Sequence, residues 1–302
     1  MSSSLLTNSS AMTALQTLRN VSSQLATTQS RISTGQRVAT ASDNAAYWSI
    51  ATSMRADNAA LSAVSDSLGL SAATVDTEYT ALTAVVGDKT GGLTKLQALL
   101  VEAKTAGIDR AKIQSDITQI QQQMKGTADA ATFNGVNWLS ATASTPATFD
   151  LVSSFSRVSG TPTIGTITLT ISDFSLYTAT SGGILDTQTS GVSVDNIDIT
   201  SLTDAASDQT TLDTYIAQVT AVINSVASAA ANLGAVKNRI QTNTDFVKTL
   251  MDSVDRGIGQ LVDADMNAES TRLQALQTQQ QLGVQALSIA NQNSQSILSL
   301  FK

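Results

Sequence analysis

The sequence predicts a mainly α-helical protein. Long N- and C-terminal arms pair as an antiparallel coiled-coil or helical-bundle rod, and a small β-rich lobe sits between them. Three observations lead there. Aliphatic residues recur in sevens on both flanks of the 302-residue chain, the spacing that keeps one face of a helix apolar. The chain's two prolines, Pro146 and Pro162, lie in the middle, so the flanks lack the residue that breaks helix interiors. Between the flanks the period changes from seven to two, the alternation of a strand with one buried face.

The first arm carries Ala11, Leu18, Leu25 and Ile32 in sevens, with Ala14, Val21 and Thr28 three positions further on. A second row, Tyr47, Met54, Leu61, Leu68, Val75 and Leu82, is flanked by Ile50, Val64 and Val85, while Asp57, Ser71 and Glu78 interrupt it. That imperfection suits a bundle with neighbours better than an isolated two-stranded coil. Asp76, Glu78 and Asp88 read as a solvated face. Two shorter helices follow, from about Leu93 to Ala106 and from Asp109 to Met124 through Ile113, Ile117 and Ile120, punctuated by Gly87, Gly91, Gly92 and Gly107. Residues 140 to 205 form the lobe, with strands at Thr166–Ile171, Val192–Val194 and Ile197–Ile199. Turns are expected at Ser159–Pro162, Ser181–Gly183 and Ser190–Gly191.

The return helix has the strongest periodicity. Leu212, Val219, Val226, Leu233, Ile240, Val247, Val254 and Leu261 run in strict sevens, with Val222, Ala229, Val236, Leu250 and Ala264 three further on. This predicts a helix of about fifty residues, roughly 75 Å long. In the last arm Leu273, Leu276, Leu287, Ala290, Ile297 and Phe301 recur at threes and fours. The terminal arms are rich in Ser and Gln, so helix propensity alone leaves them marginal in water. Burying a Leu or Ile gains about 1.5–3 kcal/mol, and a few of those barely offset the ordering entropy unless other copies cover the remaining faces.

Composition narrows the chemistry. There is no Cys and no His, which removes disulfides, thiolate nucleophiles, Cys/His zinc sites and His-based triads. No convergent nucleophile and base remain, so we expect no enzyme, no cofactor and no metal. Asp263, Asp265 and Glu269 are close in sequence, but on a helix 263 and 265 point apart while 265 and 269 share a face; a polar joint is the reading adopted. Aromatics make up 4% and charged residues 14%, so the core is thin and aliphatic. The net charge of -7 argues against nucleic acid. That charge is local: Asp150 to Asp213 hold eight acids and one base, Arg157, and the rest of the chain is neutral. The N-terminus lacks the basic start and apolar stretch of a secretory signal. Thr214–Val236 is long enough to span a bilayer, but Gln218, Asn224 and Asn232 interrupt it, so no membrane insertion is expected.

The seams break at two places. Arg31-Ile32-Ser33-Thr34-Gly35 precedes Ala41-Ser42-Asp43-Asn44-Ala45, and Val262-Asp263-Ala264-Asp265-Met266-Asn267 precedes Leu273. With Leu233–Arg239, the ending Ala290-Asn291-Gln292 and the Thr132-Phe133-Asn134-Gly135-Val136 turn, the chain resembles bacterial flagellin, as a compact, short-lobed member. The resemblance implies a structural subunit that polymerises into the flagellar filament for swimming. It implies an inner coiled-coil domain (1–45 and 263–302), an outer-tube helical domain (46–140 and 205–262) and a surface lobe (141–204). Leu18, Leu25, Arg31, Ile32, Leu273, Leu276, Leu287, Ala290, Ile297 and Leu300 are then inner contacts of the polymer. Gly35, Asp43, Asp263 and Asp265 are joints between domains, and the rows from Leu61 to Leu82 and Leu212 to Leu261 form the outer-tube seam. The implied partners are other copies of the chain, the flagellar export apparatus with its chaperone, and the filament cap and hook-associated proteins. The implied location is extracellular, on the flagellum. Two departures from many flagellins are Asn44, where Asp is common, and Ser294, where Pro is common; Asn44 still suits a helix cap. A hook-filament junction protein of the same architecture, or a secreted coiled-coil translocator or adhesin, are the alternatives.

Overall fold

A computed structural model describes residues 8–87, 91–142, 145–158, 161–188 and 191–300, without the side chains of Val158 and residues 293–300. The chain divides into two compact units, Met1–Ala59 with Met251–Lys302, and Ala60–Leu250.

In the first unit, α1 (Ser9–Thr34) begins where Asn8 Oδ1 accepts the Ala11 amide at 3.0 Å, satisfying an amide that has no partner inside the helix. It ends at Gly35, whose φ of 69° is the left-handed conformation that favours glycine at a helix C-terminus. α6 (Met266–Leu300) begins where Asp265 Oδ1 accepts the amides of Asn267 and Ala268. α2 (Ala45–Val86) is capped by Asn44, whose Oδ1 accepts the Tyr47 amide at 3.1 Å. α5 (Ala206–Val262) brings its last residues to this unit.

The second unit holds the rest of α2 and α5 together with α3 (Gly92–Glu102) and α4 (Arg110–Ala130). α3 stops four residues short of the expected Ala106, and α4 runs six past the expected Met124. Between α2 and α3, Gly92 adopts φ 68°, and a side chain there would place its Cβ 2.5 Å from the Val85 carbonyl oxygen. The aliphatic rows of α2 and α5 are interior: Leu61, Leu68, Val75 and Leu82 are buried, as are Leu212, Val219, Val226, Leu233, Ile240 and Val247. The two helices run antiparallel. Lys237 pairs with Asp76, and one turn along, Gly234 faces the Tyr79 ring. α3 also opposes α5, through Gln97 Nε2 to Thr220 Oγ1 at 2.7 Å and Lys104 Nζ to Asp213 Oδ1 at 2.6 Å. An eighteen-residue stretch of α5 has a mean hydropathy of 1.5, long and apolar enough to cross a membrane, yet the helix turns its aliphatic row into this core.

The seam departs from the expected sevens near α5's end. Val254 and Leu261 are only half-buried, while Ile258 and Val262 are buried. A straight helix of 3.6 residues per turn drifts away from a strict seven-residue repeat, and here the interior row moves over by a step of four. At the other end of its row, Tyr47 and Ile50 are exposed instead of interior. Glu78 is also corrected: it is not on a solvated face but fully buried. Asp88 lies outside the described residues.

Residues 132–200 build the lobe. Asn134 (φ 50°) and Gly135 (φ 78°) close a two-residue turn between Phe133 and Val136, whose backbones exchange two hydrogen bonds of 2.9 Å. β1 (Ser140–Ala141) pairs in parallel with β4 (Tyr177–Thr178), and β2 (Thr148–Val158) pairs antiparallel with β3 (Thr161–Thr170) through a bulge between Val152 and Ser154. β3 carries the predicted alternation, with Ile167 and Leu169 buried and Thr166, Thr168 and Thr170 exposed. Fully buried Trp138 packs its ring 5.4 Å from Phe149 at the base of the hairpin. The predicted strands at 192–194 and 197–199 are absent; a single 3₁₀ turn covers Val194–Asn196. Val194, Ile197 and Ile199 are nevertheless buried. Their backbone groups pair with α4 side chains: Gln121 Nε2 donates to Val194 O (3.0 Å), and Gln114 bridges Ile197 O (3.1 Å) and Ile199 N (3.0 Å). Glutamine amides thus satisfy groups that a sheet would otherwise pair. Ser159, Gly160 and Ser190, expected in turns, lie outside the described residues.

Candidate assembly surface

The site residues expected at the ends of the chain meet in the first unit. Asn8 Nδ2 donates to the Ala290 carbonyl at 3.0 Å, a Cβ on Gly283 would stand 3.3 Å from Leu18, and Arg31 bonds Glu269 at 3.1 Å. Residue numbers rise along α1 as they fall along α6, so the two helices are an antiparallel pair. On α1 the fully buried positions are Val21 and Thr28, while Leu18, Leu25, Arg31 and Ile32 are half-buried. On α6, Leu276 and Glu269 are buried and Leu273, Leu287 and Ala290 half-buried. The side chains of Ile297 and Leu300 lie outside the described residues. A pair of helices covers one stripe of each partner and leaves the flanks of that stripe half open.

The guanidinium of Arg31, expected among the inner contacts of the polymer, lies against Glu269 of the same chain. In arms almost without charge, that pair is a local charge lock. Glu269 has a side-chain exposure of 11%, and its Oε2 has no partner. Sequence reasoning placed Glu269 among acids at a joint and missed the pairing. Spacing within one helix carries no information about a partner 238 positions away.

The expected joints form a compact knot. The Gly35 carbonyl accepts the Ala264 amide at 2.9 Å, and the Val262 carbonyl accepts the amides of Arg37 and Val38 at 2.6 and 3.2 Å. Gln36 and Asp263 bridge as a short antiparallel pair. Beneath them Val38, Ala51 and Val262 form a small buried cluster with Leu261 against it. Asp43 Oδ2 accepts the amides of Ala39 and Thr40, and these hydrogen bonds, Thr40's first, hold its carboxyl below the ordinary range. Asp265 caps α6. Both Asp43 and Asp265 therefore hold turns. Asp265 Oδ1 is directed to backbone amides and Glu269 Oε1 to Arg31, and no group of three or more acids suited to a metal occurs among the described residues.

Large apolar side chains left exposed concentrate in this unit: Met12 and Leu15 on α1, Tyr47, Trp48 and Ile50 on α2, and Met266, Leu282, Val284 and Ile289 on α6. The second unit exposes Leu70, Val101, Ile164 and Phe246. Nine exposed large apolar side chains within this one unit suit it to contact with protein.

Comparison with known proteins agrees with this. The bacterial flagellin N-terminal helical region matches residues 5–144, and the bacterial flagellin C-terminal helical region matches residues 216–301. Flagellin C of Rhizobium meliloti (strain 1021) is 43% identical over 326 positions, covering 99% of each chain. The flagellin of Brucella melitensis biotype 1 is 43% identical over 301 positions with the same coverage. Flagellin A of Rhizobium meliloti (strain 1021) is 40% identical over 400 positions, covering 99% of this chain and all of the relative.

Proposed function

Because the chain belongs to the bacterial flagellin family, we infer that it is a structural subunit which polymerises into the flagellar filament and serves swimming motility. The observation that carries this reading is the uncovered apolar surface of the unit formed by the two chain ends. Further copies supply the missing cover. We assign the inner contacts to residues 1–45 and 263–302, the outer tube to 46–140 and 205–262, and the exposed lobe to 141–204. The breaks in periodicity at Gly35, Asp43, Asp263 and Asp265 support the first of these boundaries, although the compact units divide after Ala59 and Leu250, and the buried rows of α2 and α5 support the second.

Within this reading Leu18, Leu25, Ile32, Leu273, Leu276, Leu287, Ala290, Ile297 and Leu300 serve the inner contacts, and Arg31 serves them by fixing the register of α1 against α6. The polymer stands outside the cell. The subunit reaches it through the flagellar export apparatus with an export chaperone, and meets hook-associated proteins and the filament cap there. A chain with no Cys has no disulfide to resist passage in an unfolded state.

The test is seeded polymerisation of heat-dissociated subunits, followed by electron microscopy. Deleting Leu287–Lys302 is expected to leave a soluble chain with its second unit folded and to abolish filament growth. Filaments assembled from that truncation would overturn the assignment of the arms.

A further inference from the structure

With no cysteine in the chain, its sulfur is confined to six methionines, and their placement is uneven. Among the described residues Met12, Met54, Met251 and Met266 belong to the first unit, and Met124 alone to the second. Met124 is 1% exposed, whereas Met12 is 64% and Met266 43% exposed. These two stand at opposite ends of the α1–α6 pair: Met12 is one turn from Asn8, which bonds Ala290, and Met266 is close to Glu269, which bonds Arg31. Met54 and Met251 are half-buried. Met54 lays its methyl over α5 at Gly257, where a Cβ would stand 2.9 Å from it. A thioether is apolar and adaptable, which suits it to a contact surface, but its sulfoxide is polar.

We propose that Met12 and Met266 are oxidation sites of the free subunit, and that a peroxide acting on them blocks its entry into the polymer. The sulfur lone pair attacks one oxygen of hydrogen peroxide. An S–O bond forms as the O–O bond breaks, a proton passes to the departing oxygen, the sulfur gives up two electrons, and water leaves. The new oxygen then stands on the apolar surface that other copies cover in the filament reading, on which this inference rests, and its hydration must be stripped before contact. Two-electron reduction of the sulfoxide restores the thioether, so the block is reversible.

In the test, full-length subunit is treated with hydrogen peroxide, quenched with free methionine, mapped by peptide mass and then seeded. Met12 and Met266 are expected to gain an oxygen roughly tenfold or more faster than Met124. The critical concentration for growth is expected to rise roughly tenfold or more, with monomer circular dichroism unchanged. M12L/M266L keeps the apolar volume and is expected to grow equally well before and after peroxide. Methionine sulfoxide reductases acting on both sulfur epimers are expected to restore growth of the treated, unaltered chain. Growth of that chain at the untreated critical concentration, with both sulfurs oxidised, would overturn the proposal and leave the filament reading intact. So would equal inhibition of M12L/M266L by peroxide, or no recovery once both sulfurs are reduced. Failure of the untreated chain to form filaments at all would instead overturn the filament reading itself.

Discussion

Glu78 occupies a position in the α2 row that an aliphatic residue would fill more cheaply. Its Oε1 accepts the Trp138 amide at 2.9 Å, while its Oε2 has no partner. Burial raises its pKa from the ordinary 4.5 to about 7, outweighing the opposing effect of the Trp138 hydrogen bond. The folded chain therefore keeps this proton across a range where the unfolded chain has lost it. The resulting stability is full below about pH 4.5 and is lost as the pH rises through 7. E78Q keeps an acceptor for Trp138 and removes the titration. Urea unfolding is expected to show a flatter pH profile for E78Q and a gain of about 1–3 kcal/mol at alkaline pH. The Arg31–Glu269 pair gives an asymmetric result. R31A strands a nearly buried carboxylate, whereas E269A leaves an arginine that reaches water. R31A is expected to cost about 1–3 kcal/mol and to cost more than E269A, read as the shift in filament heat-depolymerisation. Neither residue's role was legible in sequence. Glu78 and Glu269 carry the same side chain as a solvated acid, and only contacts 60 and 238 positions away distinguish them.

Among the elements, the long helices were legible because their signal repeats many times. Eight residues in sevens name α5, and one misplaced residue does not disturb the count. What the repeat could not show is where the interior row shifts from Val254 and Leu261 to Ile258 and Val262, because strict sevens continue through residues that the helix has rotated away from the core. L233A, at a fully buried position, is expected to destabilise by about 2–5 kcal/mol, and L261A by under about 1.5; thermal unfolding of the two variants side by side checks the order. The false strands at 192–194 and 197–199 have a different cause. Alternating Val and Ile report one buried face, which an irregular segment also has when Gln114 and Gln121 take over its backbone bonds. The joints were legible as breaks in periodicity, but their knot of backbone bonds was not, since it depends on two stretches more than two hundred residues apart.

At the scale of the molecule, the two flagellin family regions leave residues 145–215 unmatched, and that interval holds the β2–β3 hairpin. Its outer half, Ser156, Arg157 and Thr161 to Ile164, is exposed. Joining Phe155 to Ile164, which pair across the ladder, through an Asn-Gly turn is expected to leave filament growth and thermal midpoint unchanged; loss of growth would move part of the assembly surface into the lobe. The first unit makes the opposite demand. Its halves come from the two extremities of the chain, and the bonds from Arg37, Val38 and Ala264 close a loop of more than two hundred residues. Loop closure on that scale costs little more than for a loop half as long, but it imposes a sequence in time. Since the partner of the first helix lies more than two hundred residues downstream, a chain cut short before α6 has no means of completing this unit. The fold itself thereby distinguishes a chain that carries α6 from one that lacks it: without that helix α1 keeps an apolar stripe with nothing of its own chain to lie against.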